Sequence, residues 1–220
     1  MSARRITVLI SGRGSNLLAL IEAIRQKRIP ARIIHVISNN AGAAGLSHVL
    51  KAGIPSSILE HGRFGKREEF DRSLALLMTA GQPDVVVLAG FMRILGPAVL
   101  TEFDGRMINL HPSLLPLYPG TATYQRAIDS GDREHGASIH FVTDELDGGP
   151  VISQVRIPIA AADDADSLAA RLSPREHELL VATVELFSRN SVKCRSNAVW
   201  INGKRLDQPL ELLEDNRFEA

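Results

Sequence analysis

Short apolar runs alternate with amphipathic segments along the first 130 residues or so, and this alternation is the strongest constraint on the fold. The apolar runs are rich in β-branched residues, as in buried strands, and the amphipathic segments repeat their apolar residues with helical spacing. Strands that alternate with helices predict a parallel sheet with helices on both faces. The predicted strands are 6–10, 32–38, 56–59, 83–90 and 106–112, and the predicted helices are 17–26, 44–53, 67–81, 94–103 and 124–131.

The second half of the chain departs from this alternation. Two strand-like runs within 136–159 are joined by an acidic loop that has no room for a crossover helix, so the sheet is expected to turn antiparallel here. A long helical region, 166–190, and a hairpin around the Asn202-Gly203 turn follow. The fold class is therefore α/β: a Rossmann-like, mostly parallel sheet that turns antiparallel toward the C-terminus, followed by a helix and a hairpin. We see no linker and predict one domain over 1–220.

Composition narrows the class of partner. Lys plus Arg equals Asp plus Glu at 25 each, so no basic field favours nucleic acid, and a small-molecule substrate is expected. The single cysteine, Cys194, cannot form an internal disulfide, and the N-terminal apolar run is too short for a signal peptide. No apolar run approaches the roughly 18 residues of a membrane helix. We predict a cytoplasmic protein without membrane or nucleic-acid partners.

A glycine-rich turn, SGRGSN at 11–16, separates the first strand from the first helix. Unpaired N–H groups and the helix dipole favour an anion such as phosphate at this position. Leu17 stands where a dinucleotide-binding loop has its third glycine, and the next strand ends without the acid that holds a ribose. A phosphate site is one interpretation, and the other is that Ser15 and Asn16 only cap the helix.

Two further segments follow predicted strands. LAGFMRIL, at 88–95, leaves its strand through a glycine at the sheet edge where open α/β folds bind ligands, and a flat heterocycle fits there. The alternative for Met92, Ile94 and Leu95 is ordinary core packing. INLHPSLLPLYPG, at 108–120, ends its strand in Asn109 and His111, and the prolines that follow commit the chain to a stiff course. A lone Asn-x-His more often only ends a strand.

The segment HFVTDELDGGPVI contains three acids, Asp144, Glu145 and Asp147. They are interpreted as a solvated loop, as a divalent-metal site, or as the source of one carboxylate that acts on a histidine. The spacing of calcium loops and of histidine or cysteine metal sites is missing, so we favour the last interpretation.

Late in the chain, SPREH places Ser173 three residues before Glu176, with Pro174 between them. This pattern is typical of a capping box at a helix start, and it predicts that a helix begins here. Cys194 and Trp200 are interpreted as packing residues, and the histidines other than His111 as scattered.

The order and spacing of SGRGSN, LAGFMRILGP, INLHPSLLPLYPG and HGASIHFVTDELDGGPVI resemble the folate-dependent formyltransferase family over nearly the whole chain. INLHPSLLP and DELDGGP are specific for the wider family. The glycine-rich turn and the lack of further domains indicate, within that family, the phosphoribosylglycinamide (GAR) formyltransferases of purine synthesis.

The resemblance implies transfer of a formyl group from 10-formyltetrahydrofolate to the primary amine of GAR, without a metal. It implies a phosphate-binding half, 1–105, and a catalytic and folate-binding half, 106–220, in a monomer or homodimer. The implied catalytic residues are Asn109 and His111, which stabilise a tetrahedral intermediate, and Asp147, which tunes His111 and aids proton transfer. The implied GAR contacts are Gly14, Ser15, Asn16 and Glu176. The implied folate contacts are Arg67, Met92, Arg93, Ile94, Leu95, Asn109, Val142, Thr143, Asp144, Glu145, Leu146 and Asp147.

The chain also departs from the family. Ala122 and Tyr124 stand where many members have histidines, and Ser173-Pro174 where the family often has a polar helix with glutamine. Three alternatives remain open: a formyltetrahydrofolate deformylase, which in its known form has an additional N-terminal domain; a methionyl-tRNA formyltransferase, which needs a basic C-terminal RNA-binding domain; and a non-catalytic ligand-binding module.

Overall fold

The computed structural model describes residues 3–219, which form twelve strands and six α-helices. The strands are β1 (Arg4–Ile10), β2 (Ala31–Ser38), β3 (Ser56–Ile58), β4 (Val85–Leu88), β5 (Met107–His111), β6 (Glu134–Phe141), β7 (Val151–Pro158), β8 (Val192–Arg195), β9 (Ala198–Ile201), β10 (Lys204–Arg205), β11 (Leu210–Leu212) and β12 (Phe218–Glu219). The helices are α1 (Ser15–Arg25), α2 (Gly45–Lys51), α3 (Arg67–Ala80), α4 (Pro97–Glu102), α5 (Thr123–Asp129) and α6 (Ala165–Arg189), with a 3-10 turn at His61–Arg63.

Nine of these strands form the central sheet, in the order β3-β2-β1-β4-β5-β6-β7-β11-β12. The pairs from β3 to β5 are parallel, because helices carry the chain back to the same edge between strands. β5, β6 and β7 then pair antiparallel. The short loop between β6 and β7 predicted the second of these pairings. The strand order reverses between β1 and β4, and open α/β sheets form their ligand crevice at such a switch point.

The sheet buries a hydrophobic layer on each face. Side chains alternate between faces along a strand, so Val85 and Val87 pack into one layer while Val86 packs into the other. α1 and α6 cover the first face, and α3 and α4 cover the second. The predicted fold class, a mostly parallel sheet between helices, is confirmed.

Two helix starts differ from the prediction. The helix expected over 94–103 begins only at Pro97, because Gly96 is extended, and residues 94–96 stay in a loop. The start predicted at Ser173 is wrong: α6 runs through Pro174, and its capping box joins Asp164 and Ser167. Proline in a helix interior costs about 3 kcal/mol. Burial of the apolar face of α6 offsets that cost.

The C-terminal hairpin is confirmed and is part of a larger unit. β9 and β10 pair around the left-handed Asn202 and Gly203, and a second turn at Ser196 and Asn197 adds β8 to make a three-stranded sheet. The chain then returns to the central sheet, where β11 pairs with β7. Sequence reading did not predict β11 or β12, which are too short to show a period. Within the described residues, no helix has both the length and the apolar character needed to cross a membrane.

The loop between β6 and β7 packs closely around Gly149, and a substitution there tests this packing. A Cβ at this position would lie 1.9 Å from the main-chain oxygen of Phe141. Because a strand backbone cannot move aside cheaply, we expect Gly149→Ala to lower the free energy of unfolding by about 1–3 kcal/mol, the usual cost of overpacking. Urea denaturation measures the loss.

The matched control is Gly62→Ala, since a Cβ at Gly62 would meet nothing within 4 Å. That variant should stay within about 0.5 kcal/mol of the wild type. Equal stability of the two variants would contradict the packing argument.

Candidate active site

Asn109 and His111 lie at the carboxyl end of β5 and point to the same side of the sheet, because they are two residues apart in a strand. The neighbouring Ile108 and Leu110 point into the opposite hydrophobic layer. His111 is buried and Asn109 is half-buried. The strand therefore presents an amide and an imidazole side by side at its end.

His140 is a site residue that sequence reading missed. It lies directly opposite Asn109 in the antiparallel β5–β6 pair and is 2% exposed. Its Nδ1 lies 2.9 Å from the carbonyl of Phe141 and donates to it, which leaves Nε2 as an acceptor for Asn109 Nδ2 at 3.2 Å. His140 thereby orients the Asn109 amide. The only signal was its place in a predicted strand, and that does not reveal the pairing register.

Asp147 completes the cluster from the loop between β6 and β7. One oxygen, Oδ2, accepts from the Gly120 N–H at 2.8 Å and lies 3.4 Å from His111 Nδ1. The other, Oδ1, lies 3.5 Å from Asn109 Nδ2 and 3.6 Å from His140 Nε2. Burial raises the pKa of Asp147, but the contacts with His140, Gly120 and His111 outweigh it and hold the pKa below its usual value. Asp147 is therefore a carboxylate at neutral pH.

His111 is held in one tautomer. Its Nε2 lies 2.9 Å from the main-chain oxygen of Tyr118 and donates to it, so Nδ1 faces Asp147. Burial lowers the pKa of His111 below 6.5, although the Tyr118 carbonyl and the Asp147 charge both raise it. The expected effect of Asp147 on His111 has the predicted direction, but burial is larger. The resting imidazole is neutral at pH 7, with a free lone pair on Nδ1.

The loop before α5 supplies the main-chain groups of the site. Tyr118, Gly120 and Ala122 all have left-handed backbone conformations, with φ of 54°, 83° and 56°. The hydroxyl of Tyr118 donates to Asp132 at 2.6 Å, and Arg126 donates to the carbonyl of Pro119 at 2.6 Å. These contacts hold the Tyr118 carbonyl against His111 and the Gly120 N–H against Asp147.

A cavity of about 570 Å³ opens above the polar cluster. Its mouth is apolar, since Met92, Ile94 and Leu146 line it with 74%, 59% and 53% of their surfaces exposed. The core-packing alternative for Met92 and Ile94 is therefore wrong, whereas Leu95 lines the cavity and is buried. An apolar pocket with a few polar groups at one end is the usual form of a small-molecule site.

Nearly all residues with an implied folate contact line this cavity. They are Met92, Arg93, Ile94, Leu95, Asn109, Val142, Thr143, Asp144, Glu145, Leu146 and Asp147. Arg67 lies outside the lining and supports it from behind. Its Nη2 donates to the carbonyl of Ile94 at 2.9 Å, and its Nε lies 3.6 Å from Asp71. In the described part of the chain, no three potential metal ligands are grouped to hold an ion.

The glycine-rich turn lies beside the cavity. Gly14 is the N-cap of α1, with φ 74° and no side-chain cap, so the interpretation of Ser15 and Asn16 as mere caps is not supported. A Cβ on Gly14 would come within 2.6 Å of the Gly45 Cα, which explains the need for glycine. Ser11 Oγ accepts from the Met92 N–H at 2.8 Å and ties the turn to the cavity wall.

Glu176 also lies outside the cavity lining, on α6. Tyr124, which does line the cavity, donates to its Oε1 at 3.0 Å. The residues with implied GAR contacts, Gly14, Ser15, Asn16 and Glu176, thus belong to a region next to the cavity and are linked to it through Ser11 and Tyr124.

The fold and the site define an α/β enzyme. A cavity lies at the carboxyl ends of β4 and β5, and an oriented amide, an imidazole of fixed tautomer and a carboxylate meet at the base of that cavity. Such a group of side chains can donate to a developing oxyanion and exchange a proton with a reacting nitrogen.

The chain belongs to the formyl transferase family, which it matches over residues 4–184. It is 48% identical over 201 residues to a phosphoribosylglycinamide formyltransferase of Escherichia coli K12, covering 91% of this chain and 95% of that protein. The trifunctional purine biosynthetic protein adenosine-3 of Homo sapiens is 38% identical over 193 residues, which are 88% of this chain and 19% of that protein. The phosphoribosylglycinamide formyltransferase structure from Coxiella burnetii superimposes with a TM-score of 0.88 at 43% identity, covering 93% and 96% of the two chains. The predicted relationship and the class of formyl-transferring enzyme are confirmed.

The charge of Asp147 is tested by Asp147→Asn, which keeps the shape of the side chain. Because the carboxylate raises the pKa of His111, its removal should lower that pKa further. Imidazolium would then form only at more acidic pH. NMR titration of the His111 ring protons measures the shift.

Asp144→Asn is the matched control, since Asp144 is an exposed acid of the same loop. It should leave the His111 titration unchanged. An unchanged or raised pKa of His111 in Asp147→Asn would contradict the proposed pairing.

Proposed function

We propose that this chain transfers a formyl group from 10-formyltetrahydrofolate to the primary amine of GAR, giving formyl-GAR and tetrahydrofolate. The proposal is supported by the meeting of Asn109, His111 and Asp147 at the base of an apolar cavity, which Ser11 ties to the glycine-rich turn. The names of the relatives agree with it.

The apolar mouth of the cavity suits the flat heterocycle of the folate donor. Met92, Ile94 and Leu146 offer it a surface that is otherwise exposed to water. Burial of such a surface contributes about 25 cal/mol per Å², so the mouth supplies affinity and the polar base supplies orientation. The formyl carbon would then lie next to Asn109 and His111.

GAR would approach from the side of the glycine-rich turn. Its phosphate accepts hydrogen bonds from the unpaired N–H groups at the start of α1, where the N-cap Gly14 has no side chain to cap them. Its ribose hydroxyls donate to Glu176. The amine then extends toward the cavity base, so that the two substrates meet at Asp147.

Transfer begins when the amine nitrogen attacks the formyl carbon. The C=O π bond opens to a tetrahedral carbon that carries an oxyanion and an ammonium. Asn109 Nδ2–H donates to the oxyanion without any change in charge. The ammonium proton enters the Asp147–His111 pair, where the carboxylate stabilises the new imidazolium and the Nδ1–H of His111 donates to the oxyanion. The oxyanion then re-forms the C=O bond as the C–N10 bond breaks, and the pair returns the proton to N10 of the folate.

The neutral resting state of His111 fits this order of events. An imidazole that is already protonated could not accept the amine proton, whereas a neutral Nδ1 can. Burial lowers the pKa of His111 and so keeps Nδ1 free until the amine supplies a proton. The Asp147 carboxylate then stabilises the transient imidazolium of His111 at this buried position.

The proposed reaction is tested with purified protein and 10-formyltetrahydrofolate, with and without GAR. We expect formyl-GAR to form only when GAR is present. Release of formate from donor alone would favour the deformylase, and ligand binding without turnover would favour the non-catalytic module.

His111→Ala tests the catalytic assignment in the same assay. Loss of this donor and proton carrier should lower kcat by roughly 100-fold or more. The control is His61→Ala, since His61 is an exposed residue of the 3-10 turn. A folded His111→Ala enzyme with near-normal turnover would contradict the mechanism.

Ser15→Asp tests the phosphate site. A carboxylate in the first turn of α1 would repel the phosphate, so GAR affinity should fall about tenfold or more while folate affinity stays unchanged. Calorimetric titration with each ligand measures both affinities. Ser15→Asn has nearly the same shape without the charge and is the control. Equal loss for both ligands, or for neither, would show that the turn is only a helix start.

A further inference from the structure

Tyr124 and Glu176 form a hydrogen bond between α5 and α6 that the mechanism above does not use. The Tyr124 hydroxyl donates to Glu176 Oε1 at 3.0 Å. Among residues 3–219 no other hydrogen bond reaches this carboxylate, so Oε2 has a free acceptor capacity. Glu176 is half-buried, and an acid in such a place needs a donor to remain charged.

The ring of Tyr124 packs on one side and faces the cavity. It packs against the imidazole of His135 with ring centroids 5.1 Å apart, and it lines the cavity. Tyr124 is the second residue of α5, two positions after the left-handed Ala122. The packed ring places its hydroxyl within hydrogen-bond distance of Glu176.

Two groups from neighbouring elements face Glu176 and act on its charge. Burial raises the pKa of Glu176, while the Tyr124 hydrogen bond from α5 and the Arg13 charge from the glycine-rich turn both lower it. The net pKa lies above its usual value. Burial and Glu176 raise the pKa of Tyr124 in turn, so the phenol stays a neutral donor. Removal of the hydroxyl must therefore favour protonation of Glu176.

We propose that Tyr124 is a positioning residue for GAR, whose hydroxyl holds the Glu176 carboxylate turned so that its free oxygen accepts from the sugar hydroxyls. The inference rests on the proposed function, because it needs a substrate that carries both a sugar and a phosphate. Tyr124 touches no reacting atom in this proposal. Its effect should appear in the binding of GAR rather than in the rate of formyl transfer.

Tyr124→Phe keeps the ring and its packing on His135 and removes only the donor. Because a hydrogen bond to a charged group contributes more than a neutral one, we expect KM for GAR to rise about tenfold, with kcat within about twofold. KM for the formyl donor should not change. Gln125→Ala is the control, since it removes an exposed hydrogen bond to Asp129 from the same helix.

The pH dependence separates positioning from a purely structural role. KM for GAR should rise as pH falls through the pKa of Glu176, and in Tyr124→Phe this rise should begin at higher pH, because the pKa is higher. Glu176→Gln should abolish the pH-dependent rise. Tyr124→Phe should raise KM for GAR much less in the Glu176→Gln background than in the wild type, since the carboxylate that Tyr124 positions is then absent.

Binding of ribose 5-phosphate, measured by calorimetry, keeps the test independent of turnover. Absence of formyl-GAR formation by the wild type would overturn the proposed function, and weaker ribose 5-phosphate binding by Tyr124→Phe would still support the role of Tyr124. A Tyr124→Phe enzyme that only loses thermal stability, with unchanged KM, pH dependence and sugar-phosphate affinity, would overturn the inference.

Discussion

The change from parallel to antiparallel pairing at β5 is the constraint on which the site depends. β5 pairs parallel with β4 on one side and antiparallel with β6 on the other. The parallel side brings its carboxyl end to the ligand crevice, and the antiparallel side puts His140 opposite Asn109. The hairpin from β6 to β7 is then short enough to return Asp147 to the same point. A crossover helix at this position would have carried the acid away.

Burial outweighs charge pairing at His111, whereas hydrogen bonds and neighbouring imidazoles outweigh burial at Asp147. His111 and His140 each use one ring nitrogen to donate to a main-chain carbonyl, and this contact decides which nitrogen faces the centre. Asp147 is the charged member, stabilised by a main-chain N–H and by the imidazoles. The site is therefore a neutral imidazole beside a carboxylate, ready to accept one proton.

In the region next to the cavity, a buried acid is again compensated by neighbouring polar and charged groups. Glu176 is an acid whose burial raises its pKa, and Tyr124 and Arg13 compensate for that burial. Because Tyr124 both lines the cavity and contacts Glu176, it joins the region assigned to GAR with the region assigned to folate.

The sequence by itself determined the alternation of strands and helices and the antiparallel turn of the sheet, because these depend on local periodicity and on neighbours in the chain. The same local pattern predicted Asn109 and His111 at a strand end, whereas the choice of Asp147 among the three acids of its loop came from the resemblance to the formyltransferase family. The sequence misjudged Pro174, since a proline signal is local and the burial that overrides it is not. Only the tertiary structure decided that His140 faces Asn109, that Arg67 supports the cavity from behind, and that Tyr124 meets Glu176. Each of these contacts joins residues 27 to 52 positions apart in the chain, and strand register and helix packing, which no short motif encodes, bring them together.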